Sequence, residues 1–223
     1  MFTGIVKKVS KVEKKTWQRG SLFVEIKIPK GWKTKIGESI SVNGVCSTVK
    51  KVCKNSFTVE YMPETIEKTT VGSFRKGQDI NLERSLCVGD LMHGHIVQGH
   101  VDCVGKIIEI KKVKESLVIK IKVPKEFMKF MAPKGSVSVD GISLTIVDSK
   151  KDWLVPHHNF SKNKNSKNNA RKFGAGFTVS LVSHTLENTN LGKIKVGEKV
   201  NIETDAIAKY IFNILKNTGH AKC

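Results

Sequence analysis

The side chains most easily tuned for nucleophilic or acid–base work near neutral pH are the thiol and the imidazole, with ordinary pKa values of about 8.5 and about 6.5. This sequence has five cysteines and seven histidines. His93, His95 and His100 crowd one short stretch with Cys103 close behind, the densest set of potential metal ligands. His93 and His95 would project to the same side of a strand. Zinc centres favour C-x-x-C and H-x3-5-H spacings, however, and Gly94 and Gly99 mark a bend here, so no metal is expected. Cys46 lies inside an apolar run, where a cysteine is either a small core residue or, if its thiol is tuned, a nucleophile. Cys46, Cys53, Cys87, Cys103 and Cys223 are odd in number, form no C-x-x-C pair, and read as reduced thiols. No G-x-x-x-x-G-K-[ST], G-x-G-x-x-G or G-x-S-x-G occurs, which leaves phosphate cradles and hydrolase elbows without support.

The chain that must position these groups repeats itself. At an offset of 95, Gly4-Ile5-Val6 matches Gly99-His100-Val101, and Leu22-Phe23-Val24-Glu25-Ile26-Lys27-Ile28-Pro29 matches Leu117-Val118-Ile119-Lys120-Ile121-Lys122-Val123-Pro124. At 97, Ser41-Val42-Asn43-Gly44-Val45-Cys46-Ser47-Thr48 matches Ser138-Val139-Asp140-Gly141-Ile142-Ser143-Leu144-Thr145. At 120, Phe57-Thr58-Val59 matches Phe177-Thr178-Val179, and Gly77, Asn81 and Glu83 match Gly197, Asn201 and Glu203. The jump from 97 to 120 places 23 extra residues in the second lobe, at about 154–176. Two lobes follow, 1–96 and 97–203.

Leu22, Val24, Ile26 and Ile28 alternate with Phe23, Glu25 and Lys27, and Leu117, Ile119, Ile121 and Val123 repeat the pattern of a half-buried strand. Asn43-Gly44 and Asp140-Gly141 are tight-turn dipeptides between apolar runs, so each lobe contains a short-turned hairpin. About six short strands per lobe suggest a small antiparallel barrel, which closes its own edges. The fold class is all-β, two tandem barrels followed by a helix. That helix, 204–216, carries apolar side chains at Ile207, Tyr210, Ile211, Ile214 and Leu215, with Thr204 or Asp205 as its cap. A lone helix this short is marginal in water, so the stripe must dock on a barrel or on another subunit.

A tandem repeat makes two similar pockets, and mismatched polar residues are where they differ chemically. Cys46 faces Ser143, His100 faces Ile5, Lys134 faces Gly37 and Asp205 faces Ser85. The formal net charge of +19 would suit a nucleic-acid binder, yet many lysines stand beside asparagines on solvated faces. Segment 158–172 is low-complexity and basic with one aromatic, and reads as an exposed hairpin tip with too few stacking rings to hold single strands. Neither a membrane-length apolar run nor a signal-peptide core occurs, so the expected location is the cytoplasm, with no specific nucleic-acid partner and no membrane.

Met1-Phe2-Thr3-Gly4-Ile5-Val6, the hairpin pair around Cys46 and Ser143, Gly94-His95-Ile96-Val97-Gln98-Gly99-His100-Val101-Asp102, and His184-Thr185-Leu186-Glu187-Asn188-Thr189-Asn190-Leu191-Gly192 together closely resemble the riboflavin synthase family. The resemblance spans residues 1 to about 216. It implies two six-stranded Greek-key barrels, a C-terminal helix that holds a homotrimer together, and a dismutation that uses no added cofactor or metal. Two molecules of 6,7-dimethyl-8-ribityllumazine, two per active site, would give riboflavin and 5-amino-6-ribitylaminouracil. A non-catalytic lumazine or flavin carrier of the same fold is the alternative, against which Cys46, His100 and Asp205 argue.

Carried over by motif position, the first pocket would comprise Gly4, Ile5 and Val6, then Cys46, Ser47 and Thr48, then Glu60, Tyr61, Met62, Pro63, Glu64 and Thr65. The second would comprise Gly99, His100 and Val101, then Ser143, Leu144 and Thr145, then Ser180, Leu181, Val182, Ser183, His184 and Thr185, with Lys134 reaching in. The resemblance further implies that the first barrel of one subunit meets the second barrel of a neighbour. His100 is expected as a proton-transfer group, Cys46 and Ser39 near the nucleophilic event, and Ser143, Thr145 and Asp205 as positioning or relay groups. Departures from the family pattern are Ser47 for Leu, Ser183 for Pro, His93 for Gly, and the insertion. Ser47 places a hydroxyl on the barrel's inner face, which needs a partner there or costs about 1–3 kcal/mol.

Overall fold

The computed structural model describes residues 1–154 and 173–218. Six strands, β1 (Lys8–Gln18), β2 (Ser21–Lys27), β3 (Ser39–Val42), β4 (Val45–Val52), β5 (Ser56–Tyr61) and β6 (Asp79–Arg84), close into one antiparallel barrel in the order β1-β2-β5-β4-β3-β6. The second six, β7 (Cys103–Val113), β8 (Ser116–Lys122), β9 (Ser136–Val139), β10 (Ile142–Leu154), β11 (Phe173–Leu181) and β12 (Lys199–Thr204), close in the same circular order. In each barrel the second strand leaves the third and pairs with the fifth, which is Greek-key connectivity. Closure leaves no edge strand open.

The alternation read along β2 and β8 does place one face inward. Leu22, Val24 and Ile26 are fully buried with Phe57 and Val59 of β5, and Ile119 and Ile121 are buried with Phe177 and Val179 of β11. Asn43 and Asp140 have φ of +45° and +47°, and Gly44 and Gly141 follow at +80° and +77°, the paired left-handed residues of a two-residue hairpin turn. Both turns also join the barrels. They sit back to back about a local two-fold, so close that a Cβ on Gly44 would lie 2.6 Å from the Gly141 nitrogen.

Around that axis Asn81 N donates to Asn43 Oδ1 and Asn201 N to Asp140 Oδ1, each at 2.7 Å. The Asn81 and Asn201 amide groups then cross over, donating to Asp140 O at 2.9 Å and Asn43 O at 2.8 Å. The matched residues Asn43 and Asp140, and Asn81 and Asn201, thus form the joint.

Short helices α1 (Pro63–Lys68) and α2 (Ser183–Asn188) follow β5 and β11, and α3 (Ala206–Asn217) ends the described chain. Asp205 caps α3, its Oδ1 accepting from Ile207 N at 2.9 Å. The helix rests on the second barrel by Ala206 and by Phe212, whose ring meets Phe130 edge-on at 5.5 Å. The stripe Ile207, Tyr210, Ile211, Ile214 and Leu215 stays 43–65% exposed. Pairing of β10 with β11 runs out to Leu154 and Phe173, so strand reaches into the segment read as an insertion. The expected hairpin tip at 158–172 lies outside the described residues. Among the described residues no helix is long and apolar enough to cross a membrane.

Candidate functional site

Two short arms build the site: residues 2–6, ahead of β1, and residues 97–101, ahead of β7. They meet at Phe2 and Val97, both fully buried, which exchange backbone hydrogen bonds of 2.7 and 3.1 Å. Beyond that bridge they part. Thr3 N, Thr3 Oγ1 and Gly4 N donate to the Glu83 carboxylate at 2.7, 2.7 and 3.0 Å, and Gln98 N and Gly99 N donate to Glu203 at 2.7 and 2.9 Å. Both carboxylates are about as buried as core residues, and burial lifts their pKa values while the arm amides pull them down.

The arms lie on the opposite barrels from those expected. Ser143 N donates to Gly4 O at 2.7 Å, and Val6 packs against the second barrel's core; Cys46 N donates to Gly99 O at 2.8 Å, and Val101 packs against the first barrel's core. The grouping that set Gly4, Ile5 and Val6 with Cys46, and Gly99, His100 and Val101 with Ser143, is therefore corrected. Matching repeats identifies equivalent residues, whereas the local two-fold carries each arm across to its neighbour's hairpin. A β-carbon on Gly99 would stand 2.7 Å from Cys46 Cβ, and one on Gly4 would stand 2.7 Å from Ser143 Cβ.

The first-barrel half-site thus brings together Cys46, the arm with exposed His100, and Thr48, which pairs across the β3–β4 ladder with half-buried Ser39. Ser47 and Tyr61 point inward instead: Ser47 Oγ lies 2.9 Å from the Tyr61 hydroxyl and donates to Val45 O at 2.9 Å. This supplies the partner that a core hydroxyl needs, and burial drives the Tyr61 phenol well above its usual range. Both residues can face a ligand only through their backbone. Glu60 is ion-paired with Lys50, which lowers its carboxyl pKa. Met62 and Pro63 are exposed at the start of α1, where Glu64 pairs with Lys68 at 2.7 Å and Thr65 is half-buried.

In the second-barrel half-site Ser143 Oγ lies 2.7 Å from His95 Nδ1, and His95 N donates to Thr3 O at 3.1 Å. Among the described residues His95 Nε2 is buried with no hydrogen-bond partner. Burial depresses the basicity of this imidazole, and the charge of nearby Asp205 opposes that. Ser143, His95 and Asp205 therefore share one neighbourhood. His95, first weighed as a metal ligand, was missed as a site residue, because only the fold turns it onto Ser143; among the described residues no three His, Cys, Asp or Glu side chains are placed to hold a metal.

Thr145 is exposed opposite Ser136, and exposed Lys134 takes φ +68°, its amide donating to Ile146 O just as Gly37 donates to Val49 O. Ser180, Val182, Ser183 and His184 are exposed around the start of α2, Thr185 is half-buried, and Leu144 and Leu181 belong to the core. Two hollows of about 240 and 220 Å3 on the outer barrel walls take in none of the expected site residues.

Residues 3–85 and 98–205 each match the lumazine binding domain family. The sequence is 36% identical over 216 residues to the riboflavin synthase of Actinobacillus pleuropneumoniae, covering 96% of this chain and 90% of the relative. It is 33% identical over 223 residues to that of Bacillus subtilis (strain 168), covering 100% and 93%. The crystal structure of LumP complexed with 6,7-dimethyl-8-(1'-D-ribityl) lumazine aligns with a TM-score of 0.72 at 22% identity, over 92% of this chain and 99% of that one, a likeness of fold. Two copies of the domain, each completed by the other's arm, and similarity along nearly the whole length place the chain in the riboflavin synthase family.

Proposed function

We propose that this chain is a transferase that converts two molecules of 6,7-dimethyl-8-ribityllumazine into riboflavin and 5-amino-6-ribitylaminouracil, the last step of riboflavin biosynthesis. The observation that carries this reading is the pair of crossed half-sites, alike in backbone and unlike in side chains. Two copies of one substrate need two copies of one cradle, while donor and acceptor roles need the cradles to differ, as Cys46 with His100 differs from Ser143 with His95 and Asp205. Holding two ring systems face to face removes the entropy cost of their encounter. The lobes 1–96 and 97–203 each hold one lumazine.

The reaction needs loss of a proton from the acidic C7 methyl of one ring and addition of a nucleophile at C7 of the other. His100 moves the proton, Cys46 and Ser39 stand at the nucleophilic event, and Ser143, Thr145 and Asp205 orient the second ring. No cofactor or metal takes part. The rings stack where the first barrel of one subunit faces the second barrel of the next, in a homotrimer assembled through the apolar stripe of α3 and located in the cytoplasm.

Purified protein incubated with the dimethyl-ribityllumazine alone, with chelator present, should yield riboflavin and the ribitylaminouracil in equal amounts by chromatography. Tight binding without product would replace this reading with a carrier of the same fold. Activity lost to chelator and restored by zinc would revive a metal site.

A further inference from the structure

The arm that carries His100 is pinned on both sides of that residue. Ahead of it, Glu203 holds the amides of Gln98 and Gly99. Behind it, Asp102 folds back on β12, the strand that carries Glu203: Asp102 N donates to Ile202 O at 2.8 Å, and Asp102 Oδ2 accepts from both Thr204 N and Thr204 Oγ1 at 2.7 Å. Both Asp102 oxygens also stand 3.0 Å from Nζ of Lys209, in the first turns of α3. The two side chains are only 17% and 24% exposed, so this ion pair is shielded in a way most surface pairs are not. Lys209 also faces Glu203, whose carboxyl it stabilises in the charged form.

The other arm shares only the backbone part of this tie, Lys7 N donating to Leu82 O at 3.0 Å, and among the described residues no side-chain pair there matches Asp102 with Lys209. The repeat sets Lys7 where Asp102 stands, and after β6 the chain turns back to Ser39 and Met1, Ser85 N donating to Ser39 O and Leu86 N to Met1 O, where the second lobe enters α3. The tie between arm and helix therefore belongs to the Cys46 half-site alone. His100 itself is exposed, so its place depends on the backbone between Gly99 and Asp102.

We propose that Asp102 is a positioning residue: paired with Lys209, it fixes the His100 arm to the base of α3, so that seating of the helix and placement of the imidazole beside Cys46 are one event. The inference rests on the reading of His100 as the proton-transfer group. It goes further in tying the helix that carries the proposed trimer contact to the geometry of one half-site and not the other.

The test uses the full-length protein and the variants Lys209→Met, Asp102→Asn and Lys209→Arg, at a concentration where light scattering finds each assembled as the wild type is. Losing the tie should lower kcat about 10- to 100-fold in the first two, as small misplacements of a reacting group do. KM should stay within about twofold, because uniform ring binding is untouched. The imidazole NMR signal of His100, assigned by its disappearance in His100→Gln, should shift or broaden in Lys209→Met, and Lys209→Arg should restore both kcat and signal. Unchanged kcat in Lys209→Met and Asp102→Asn, or a fall in kcat with the His100 signal unmoved, would overturn the proposal, and so would failure of Lys209→Arg to restore. Should the wild type form no product, the dismutation reading fails on its own, and the His100 signal in Lys209→Met still decides this one: movement supports the tie and constancy overturns it.

Discussion

Asn190 donates from Nδ2 to Asp140 Oδ2 at 2.9 Å, inside the joint where the local two-fold sets Asn43 against Asp140. The repeat thus carries a neutral amide on one side of the axis and a fully buried carboxyl on the other. Burial pushes Asp140 up to about 7 from an ordinary 3.8, against the pull of the Asn201 amide and Asn190.

The sign of the resulting pH dependence follows from proton counting. Between about pH 4 and 7 the folded protein keeps a proton on Asp140 that the unfolded chain releases, so stability falls as pH rises through that window. Glu83 and Glu203, also raised by burial, act in the same direction. Thermal melts should show Asp140→Asn flattening the decline of Tm between pH 5 and 8 without removing it. An equally steep decline in the variant would mean that Asp140 is not the group that titrates.

Gly99 and Gly4 hold φ of +80° and +77° at the points where each arm touches a hairpin. Replacing either by Ala forces a left-handed side chain into a neighbour's Cβ, at a cost of about 1–3 kcal/mol for the backbone alone. Fluorescence titration with riboflavin should find Gly99→Ala weakened at the Cys46 half-site and Gly4→Ala at the Ser143 half-site. Equal weakening of both half-sites by either variant would argue against the crossed arrangement.

Among the described residues nothing covers the exposed α3 stripe, and each of its large side chains is worth about 1.5–3 kcal/mol when buried. Truncation after Thr204 should give a monomer by light scattering that catalyses poorly. Truncation after Lys209 keeps the Asp205 and Lys209 side chains but removes Phe212 and most of the stripe, so the difference between the two cuts isolates what Asp205 itself contributes. A trimer that survives both cuts would place the assembly contacts elsewhere.

Much of this architecture is legible in the residue order because barrels and turns leave local marks. Period-two runs such as Leu22, Val24 and Ile26 report a buried face, and Asn43-Gly44 with Asp140-Gly141 report left-handed turns. The α3 stripe is equally plain. Which barrel an arm lies on is not local: Gly4 and Gly99 match each other wherever they dock, and only the packing of the two turns decides that they cross. His95 shows the same limit, since its contact with Ser143 spans the joint between barrels. The Lys209 contact with Asp102 likewise depends on how α3 folds back, which spacing cannot express.

The claim that the two half-sites act as one centre, shared between subunits, is tested most directly by complementation. Thr48→Trp blocks the Cys46 half-site and Thr145→Trp blocks the Ser143 half-site, so each variant alone should be inactive. Co-expressed, they should form mixed assemblies in which an intact first barrel meets an intact second barrel from another chain, and riboflavin formation should return. Mixed assemblies that remain inactive, although light scattering and mass analysis show that both chains are present, would contradict a site built between subunits.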